Sequence, residues 1–294
     1  MLSGKCRMSL KPAADERGNA CLFRKIGLIM NPDKPEAVNM AGMADSFFQS
    51  HGIRTVFLQN GSHDVNGTDL ILTFGGDGTF LIGARTAMEH DIPLMGINLG
   101  TVGFLTEEEP GHLAECLTSI LNGQYNIEER FLLCVTTRRN NESYYALNDA
   151  VITRGRFARL IRVECLVNGE KFGIFTADGM IAATPTGSTG YSLSAGGPIV
   201  QPGMDCIVLT PVCAHSLQKC PCIVSGSSQI SMQLLTDRQQ TAELQIDGMD
   251  RGRLEAGDSV IITGSERKIR LLRIHPFHFF TLLQSKLIEW GSGH

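Results

Sequence analysis

Through its first hundred residues the chain alternates short apolar runs with amphipathic stretches. Lys25–Met30 (KIGLIM) is an apolar run closed by Asn31-Pro32-Asp33, the pattern of a buried strand. Pro35–His51 sets Val38, Ala41, Ala44, Phe47 and Phe48 on one helical face, and Gly52 closes it. Arg54–Leu58 predicts a second strand and Asp69–Phe74 a third. A helix with Phe80, Leu81, Ala84, Ala87 and Met88 on its apolar side follows, then a fourth strand over Ile92–Asn98. This βαβ alternation implies a mostly parallel sheet covered by helices. The link Asn60–Thr68 is too short for a parallel crossover, which takes about a dozen residues. Strands two and three therefore either pair antiparallel or are not neighbours.

The texture changes after Thr101. One helix is expected over His112–Leu121. Short β runs follow: Leu132–Thr137, Ser143–Thr153, Leu160–Val167, Lys171–Phe175, Met180–Ala183, Ile207–Thr210, Gln229–Leu235, Ala242–Ile246 and Ser259–Thr263. Gly, Asn and Asp punctuate them, as in an antiparallel sandwich or layered sheet. The tail Phe277–Trp290 carries Phe277, Phe280, Leu283, Leu287 and Trp290 at helical spacing. The expected organisation is a flexible leader (1–22), an α/β domain (23–103), a β-rich domain (104–270), and a C-terminal segment (271–294) returning to the α/β domain.

Composition narrows the function classes. With 294 residues, 43% of them hydrophobic and 19% charged, the chain can bury an ordinary core. A net charge of −4 without a long Lys/Arg run argues against nucleic acid or an anionic membrane as the main partner. No apolar run approaches the roughly 20 residues of a membrane helix. The nine cysteines are odd in number and scattered, which reads as free thiols in a reducing, cytoplasmic setting. Cys206, Cys213, His215, Cys220 and Cys222 lack the spacing of a zinc site.

Glycine is the most informative residue, with 32 copies. Gly75-Gly76-Asp77-Gly78-Thr79 leaves the end of the third strand and opens a helix, where ligands of open α/β sheets bind. It matches neither the dinucleotide fingerprint nor a Walker loop. Asp77 would repel a phosphate, but it suits a loop that holds Mg²⁺ or accepts a proton from an attacking hydroxyl. The plainer alternative is a tight turn with Asp77 as an N-cap. Asp178-Gly179 precedes Thr184–Pro198 (TPTGSTGYSLSAGGP), whose hydroxyls and open backbone suit a polar nucleotide, with Tyr191 able to stack on a base. Asn98–Leu105 (NLGTVGFL) is either a hinge or a ligand wall. Asn148-Asp149 can grip the two hydroxyls of a ribose.

Together these segments resemble the NAD kinase family. Gly75–Thr79 is similar to its GGDG loop, Asn98–Leu105 to its NLGxxGFL segment, and Asn148-Asp149 to its Asn–acidic pair. Thr184–Pro198 is similar to TPTGSTAYSLSAGGP, with Gly190 in place of Ala. Lys286, Leu287 and Trp290 match a C-terminal helix. The resemblance implies transfer of phosphate to the 2′-hydroxyl of the adenosine ribose of NAD, giving NADP. The donor would be ATP or polyphosphate, with Mg²⁺ or another divalent cation. Asp77 would be the catalytic carboxylate, and Gly75, Gly76 and Gly78 would face phosphates. Asn148, Asp149, Asp178, Thr189, Tyr191 and Ser194 would contact NAD, with Gly190 and Ser192 in the same stretch and Arg159 at a position often basic in relatives. The resemblance also implies a homodimer or homotetramer whose sites are completed by a neighbouring subunit. Met249 stands where the family's DGQ has Gln. A lipid kinase and a non-catalytic dinucleotide sensor are the alternatives.

Overall fold

The computed structural model describes residues 23–58, 65–99, 103–106, 110–155, 159–215, 220–235 and 241–292. The expected leader, residues 1–22, lies outside these, as do Gly100, Thr101 and Val102 of the NLGTVGFL segment.

In chain order the first elements are β1 (Lys25–Met30), α1 (Pro35–Ser50), β2 (Arg54–Phe57), β3 (Leu70–Gly75), α2 (Asp77–His90), β4 (Leu94–Asn98), α3 (Leu113–Leu121) and β5 (Asn126–Arg130). Then come β6 (Leu133–Thr137), β7 (Ser143–Ala146), β8 (Asp149–Arg154), β9 (Ile161–Val167), β10 (Glu170–Ala177) and β11 (Gly179–Ala183). A short helix α4 (Tyr191–Ser194) precedes β12 (Cys206–Val212), β13 (Cys222–Ser225), β14 (Ile230–Leu234), β15 (Ala242–Ile246) and β16 (Met249–Leu254). The chain ends with β17 (Ser259–Gly264), β18 (Ile269–Arg273) and α5 (Phe279–Ser292).

The chain divides into two units. The first holds the described residues up to Phe80, those within 93–127, and Leu272–Pro276. Its sheet runs β2-β1-β3-β4-β18-β5, and β1, β2, β3 and β4 pair parallel. Strand β1 lies between β2 and β3, so the short link 60–68 joins strands that are not neighbours. Strands β3 and β4 are buried throughout, as strands covered on both faces must be. Their apolar side chains meet Ala37, Met40, Ala41, Ala44 and Phe48 of α1 and Leu113, Leu117 and Ile120 of α3.

The second unit holds 81–92, 128–271 and the residues from Phe277 onward. Two six-stranded antiparallel sheets, β10-β9-β14-β17-β6-β7 and β13-β12-β11-β8-β15-β16, share one core. Leu133, Val135, Val163 and Ile262 of one sheet meet Ile152, Met180, Leu209 and Leu244 of the other. The second sheet is also covered on its far side, where Val151, Ile181, Ala183 and Val208 pack against Ala195 of the Thr184–Pro198 segment and Val200 just beyond it. That is why β11 and β12 are buried at every position rather than at alternate ones.

The expected single run Ser143–Thr153 is broken between β7 and β8, and the edge strands β5, β13 and β16 were not predicted. Of the tail expected to return to the α/β domain, Leu272–Pro276 group with that unit, and the chain from Phe277 groups with the β-rich one. The face of α5 is also turned by one residue from the expected stripe. Phe279 is buried, whereas Phe280 is 62% exposed. The side chains of Leu287 and Trp290 lie outside the described residues. Among the described residues no helix is long and apolar enough to cross a membrane.

Candidate active site

The GGDG loop sits where β3, at the centre of the parallel sheet, gives way to α2. Its three glycines differ in kind. A Cβ on Gly75 would lie 2.3 Å from the Thr79 hydroxyl, so the first turn of α2 itself demands a glycine there. Gly76 and Gly78 have no positive φ, and a Cβ on either would meet nothing within 4 Å. The fold does not require glycine at these two positions. What they leave is bare backbone at a helix N-terminus, open to an anion.

Asp77 does not cap α2. Its carboxylate accepts hydrogen bonds from the backbone N–H groups of Phe104, Leu105 and Thr106, and from the Thr106 hydroxyl at 3.4 Å. Burial pushes its pKa above the usual carboxylate value, and those donors oppose the rise. The close approach needs Gly103, where a Cβ would fall 1.9 Å from Asp77 Oδ1. The described part of the NLGTVGFL segment is thus the seat of Asp77.

In the second unit Asn148 and Asp149 stand at the break between β7 and β8. The break has a cause absent from the local pattern. Asp247, in the turn between β15 and β16, receives the N–H groups of Leu147 at 2.9 Å, Asn148 at 2.7 Å and Asp149 at 3.0 Å on its carboxylate. Its own N–H donates to the Asp149 carbonyl at 2.9 Å. Asp247 and Gly248 both have positive φ (48° and 74°), the conformation of a two-residue Asp-Gly hairpin turn. Asp247 is a functional candidate that sequence reasoning passed over. The Asp-Gly pair signals the hairpin, but nothing local says where its carboxylate goes. Burial raises its pKa, while the three N–H groups and Arg85 of α2 counter the rise. Arg85 also touches the Met249 sulfur, at the position where the family has Gln.

Asp149 is 6% exposed, and burial together with the neighbouring Asp247 charge raises its pKa to about 7. The TPTGST segment is locked onto this turn. Thr184 donates its N–H to the Asn148 carbonyl at 2.8 Å and its hydroxyl to the Leu147 carbonyl at 2.5 Å. A Cβ on Gly187 would sit 2.1 Å from the Asn148 carbonyl oxygen. Asn148, Asp149 and the segment are therefore one construction.

Beyond it, Tyr191 is 45% exposed, Ser194 is exposed and Thr189 is half-buried, its hydroxyl bonded to the Thr186 carbonyl. Ser192 is different. It is fully buried, and its hydroxyl pairs with that of Thr210 at 2.8 Å, so it holds the segment to β12 rather than facing a ligand. Asp178 is engaged in an ion pair with Arg154 at 2.7 Å, and Arg159 is exposed. Among the described residues no three His, Cys, Asp or Glu side chains converge on a metal position, and seven cysteines are free thiols.

A family model described as the ATP-NAD kinase N-terminal domain matches residues 59–125, and one described as the C-terminal domain matches 147–274. The NAD kinase of Syntrophotalea carbinolica is 38% identical over 287 residues, 92% of this chain and 100% of the relative. The chain belongs to the NAD kinase family. The NAD kinase of Heliobacterium modesticaldum is 38% identical over 89% of this chain and 98% of its own length. Among solved structures, yeast NADH kinase complexed with NADH matches with a TM-score of 0.78 and 25% identity, over 85% of this chain and 83% of that one. An NAD kinase from Archaeoglobus fulgidus in complex with ATP shares the fold, with a TM-score of 0.70 at 24% identity over 84% and 92%. The α/β domain with a parallel sheet and the β-rich domain are those expected of the family. The lipid-kinase and sensor alternatives find no support in these likenesses.

Proposed function

We propose that this NAD kinase family member transfers the γ-phosphoryl group of ATP to the 2′-hydroxyl of the adenosine ribose of NAD, with Asp77 as the proton acceptor. The observation that carries the reading is the GGDG loop. It pairs an oriented carboxylate with two glycines, Gly76 and Gly78, whose bareness serves no folding purpose. The ribose oxygen attacks the γ-phosphorus, the bond to the β–γ bridging oxygen breaks, and ADP leaves. The hydroxyl proton passes to Asp77. The seat formed by 103–106 fixes the direction of the carboxylate and favours its ionised form against burial. Catalysis of this kind is mainly positioning and charge stabilisation. Asn148 and Asp149 hold the ribose, Tyr191 with Thr189, Gly190 and Ser194 meets the adenosine, and Asp178 and Arg159 serve the remainder of NAD. A divalent cation bound with the triphosphate would neutralise phosphate charge. Polyphosphate as an alternative donor and a homodimer or homotetramer completing the site rest on the family resemblance, and a cytoplasmic location rests on the scattered cysteines.

The test is turnover by the purified full chain with NAD, NADH or a diacylglycerol as acceptor and ATP or polyphosphate as donor. NADP formation from NAD is expected, and turnover of the lipid alone would end the reading. Asp77→Asn should lower kcat by roughly 10²–10⁴-fold, the range for one acid–base group, with NAD binding kept. An Asn variant with full kcat and no NAD binding would make Asp77 a binding residue, with Asp149 the next candidate for the base.

A further inference from the structure

Arg130, at the end of β5, is 1% exposed and among the largest fully buried side chains of the chain. Its Nη2 donates a hydrogen bond to Glu128 Oε2 at 3.0 Å, and its Nε lies 2.8 Å from Glu128 Oε1 as an ion-pair contact. The guanidinium lies 4.8 Å from the centre of the Phe277 ring. Its Nη1 reaches the hydroxyl of Thr186 at 3.5 Å. Thr186 anchors the start of the turn Gly187–Thr189: it directly precedes the turn, and its carbonyl receives the Thr189 hydroxyl at 3.2 Å. Gly190 and Tyr191 follow immediately.

Burying a guanidinium against a carboxylate that stays 27% exposed is no economical route to stability, because the desolvation of the arginine offsets much of the attraction. What such a pair provides is a fixed direction. A hydrogen bond and an ion-pair contact to one carboxylate, with the Phe277 ring beside the guanidinium, restrict its orientation, and its Nη1 is directed to Thr186.

We propose that Arg130 is a positioning residue for NAD. Clamped by Glu128 and Phe277, it holds Thr186 so that the turn behind it presents Thr189, Gly190 and Tyr191 in the geometry that binds the dinucleotide. This rests on the reading of that stretch as the NAD contact. Arg130 touches no substrate, so its loss weakens NAD binding and leaves the chemical step and the nucleotide donor alone. Lysine cannot replace it, having one point donor instead of a planar fork.

The experiment uses the full chain, with NAD and ATP varied separately, for wild type, Arg130→Lys, Arg130→Ala and Phe277→Leu, each checked by thermal melting. Arg130→Lys should raise KM for NAD a few-fold, through loss of the 3.5 Å contact to Thr186 and of the fork that aims it, with kcat and KM for ATP near wild type. Phe277→Leu should shift KM for NAD in the same direction by less. Millimolar guanidinium should restore KM for NAD in Arg130→Ala and do nothing for wild type. An unchanged KM for NAD in folded Arg130→Lys overturns the proposal. So do equal rises in KM for NAD and ATP, or variants that yield only misfolded protein with no rescue, since Arg130 is then structural. A wild-type chain that does not phosphorylate NAD would instead defeat the underlying reading.

Discussion

Replacing Asp149 by Asn should make the protein's stability less sensitive to pH, and the size of the effect follows from where Asp149 sits. Its carboxyl is buried beside Asp247, which raises its pKa from the usual 3.8 to about 7. A carboxyl raised on folding keeps a proton that the unfolded chain releases. Its ionisation therefore costs stability progressively as pH climbs from about 4, and the cost is complete once pH passes about 7. The interval spans roughly three pH units, on the order of 4 kcal/mol at 1.36 kcal/mol per unit. Between pH 5 and pH 8, about two of those units apply, or ~3 kcal/mol. The amide introduced by Asp149→Asn cannot ionise, and the backbone bonds of residue 149 to Asp247 do not involve the side chain being changed. Urea unfolding followed by circular dichroism, without nucleotide, at pH 5 and pH 8 is the measurement. The stability gained by Asp149→Asn should be a few kcal/mol larger at pH 8 than at pH 5. A gain equal at the two pH values would refute the reasoning and place the Asp149 titration well below pH 5. If Asp149 grips the ribose as an anion, the wild type should also bind NAD more tightly as pH rises through 7, and the Asn variant should lose that slope.

Gly78→Ala should stabilise the fold by up to about 1 kcal/mol of helix propensity, seen as a slightly higher melting temperature, because the added methyl finds open space, while KM for ATP rises. Unchanged KM for ATP would mean that no phosphate approaches that backbone. Gly103→Ala should cost kcat, since its Cβ cannot share space with Asp77 Oδ1 at 1.9 Å and the carboxylate must leave its seat; wild-type kcat in that variant would show that the seat is dispensable. Asp247→Asn should destabilise by roughly 1–3 kcal/mol, because an amide nitrogen turned toward the Leu147 or Asn148 N–H sets donor against donor, and denaturant unfolding would reveal it.

The alternation of apolar runs and amphipathic stretches over residues 25–98 was enough to place β1, α1, β2, β3, α2 and β4, because a buried parallel strand and the helix covering it each carry a local period. The GGDG, Asn-Asp and TPTGST segments stood out in the sequence as candidates, by their open backbone and small polar side chains beside strand ends. Strand order was not legible. That β1 lies between β2 and β3 depends on hydrogen bonds between segments, and a sequence period says nothing about neighbours. The edge strands β5, β13 and β16 were missed for a related reason. Their side chains are largely exposed, and ladder bonds rather than buried apolar faces hold them. The seats of the two aspartates belong to tertiary structure outright. Asp77 is held by residues 104–106, and Asp247 by residues 147–149 about a hundred positions away. Those contacts moved both carboxyls off the pKa that the sequence alone assigns, because burial and backbone donors exist only once distant segments have met.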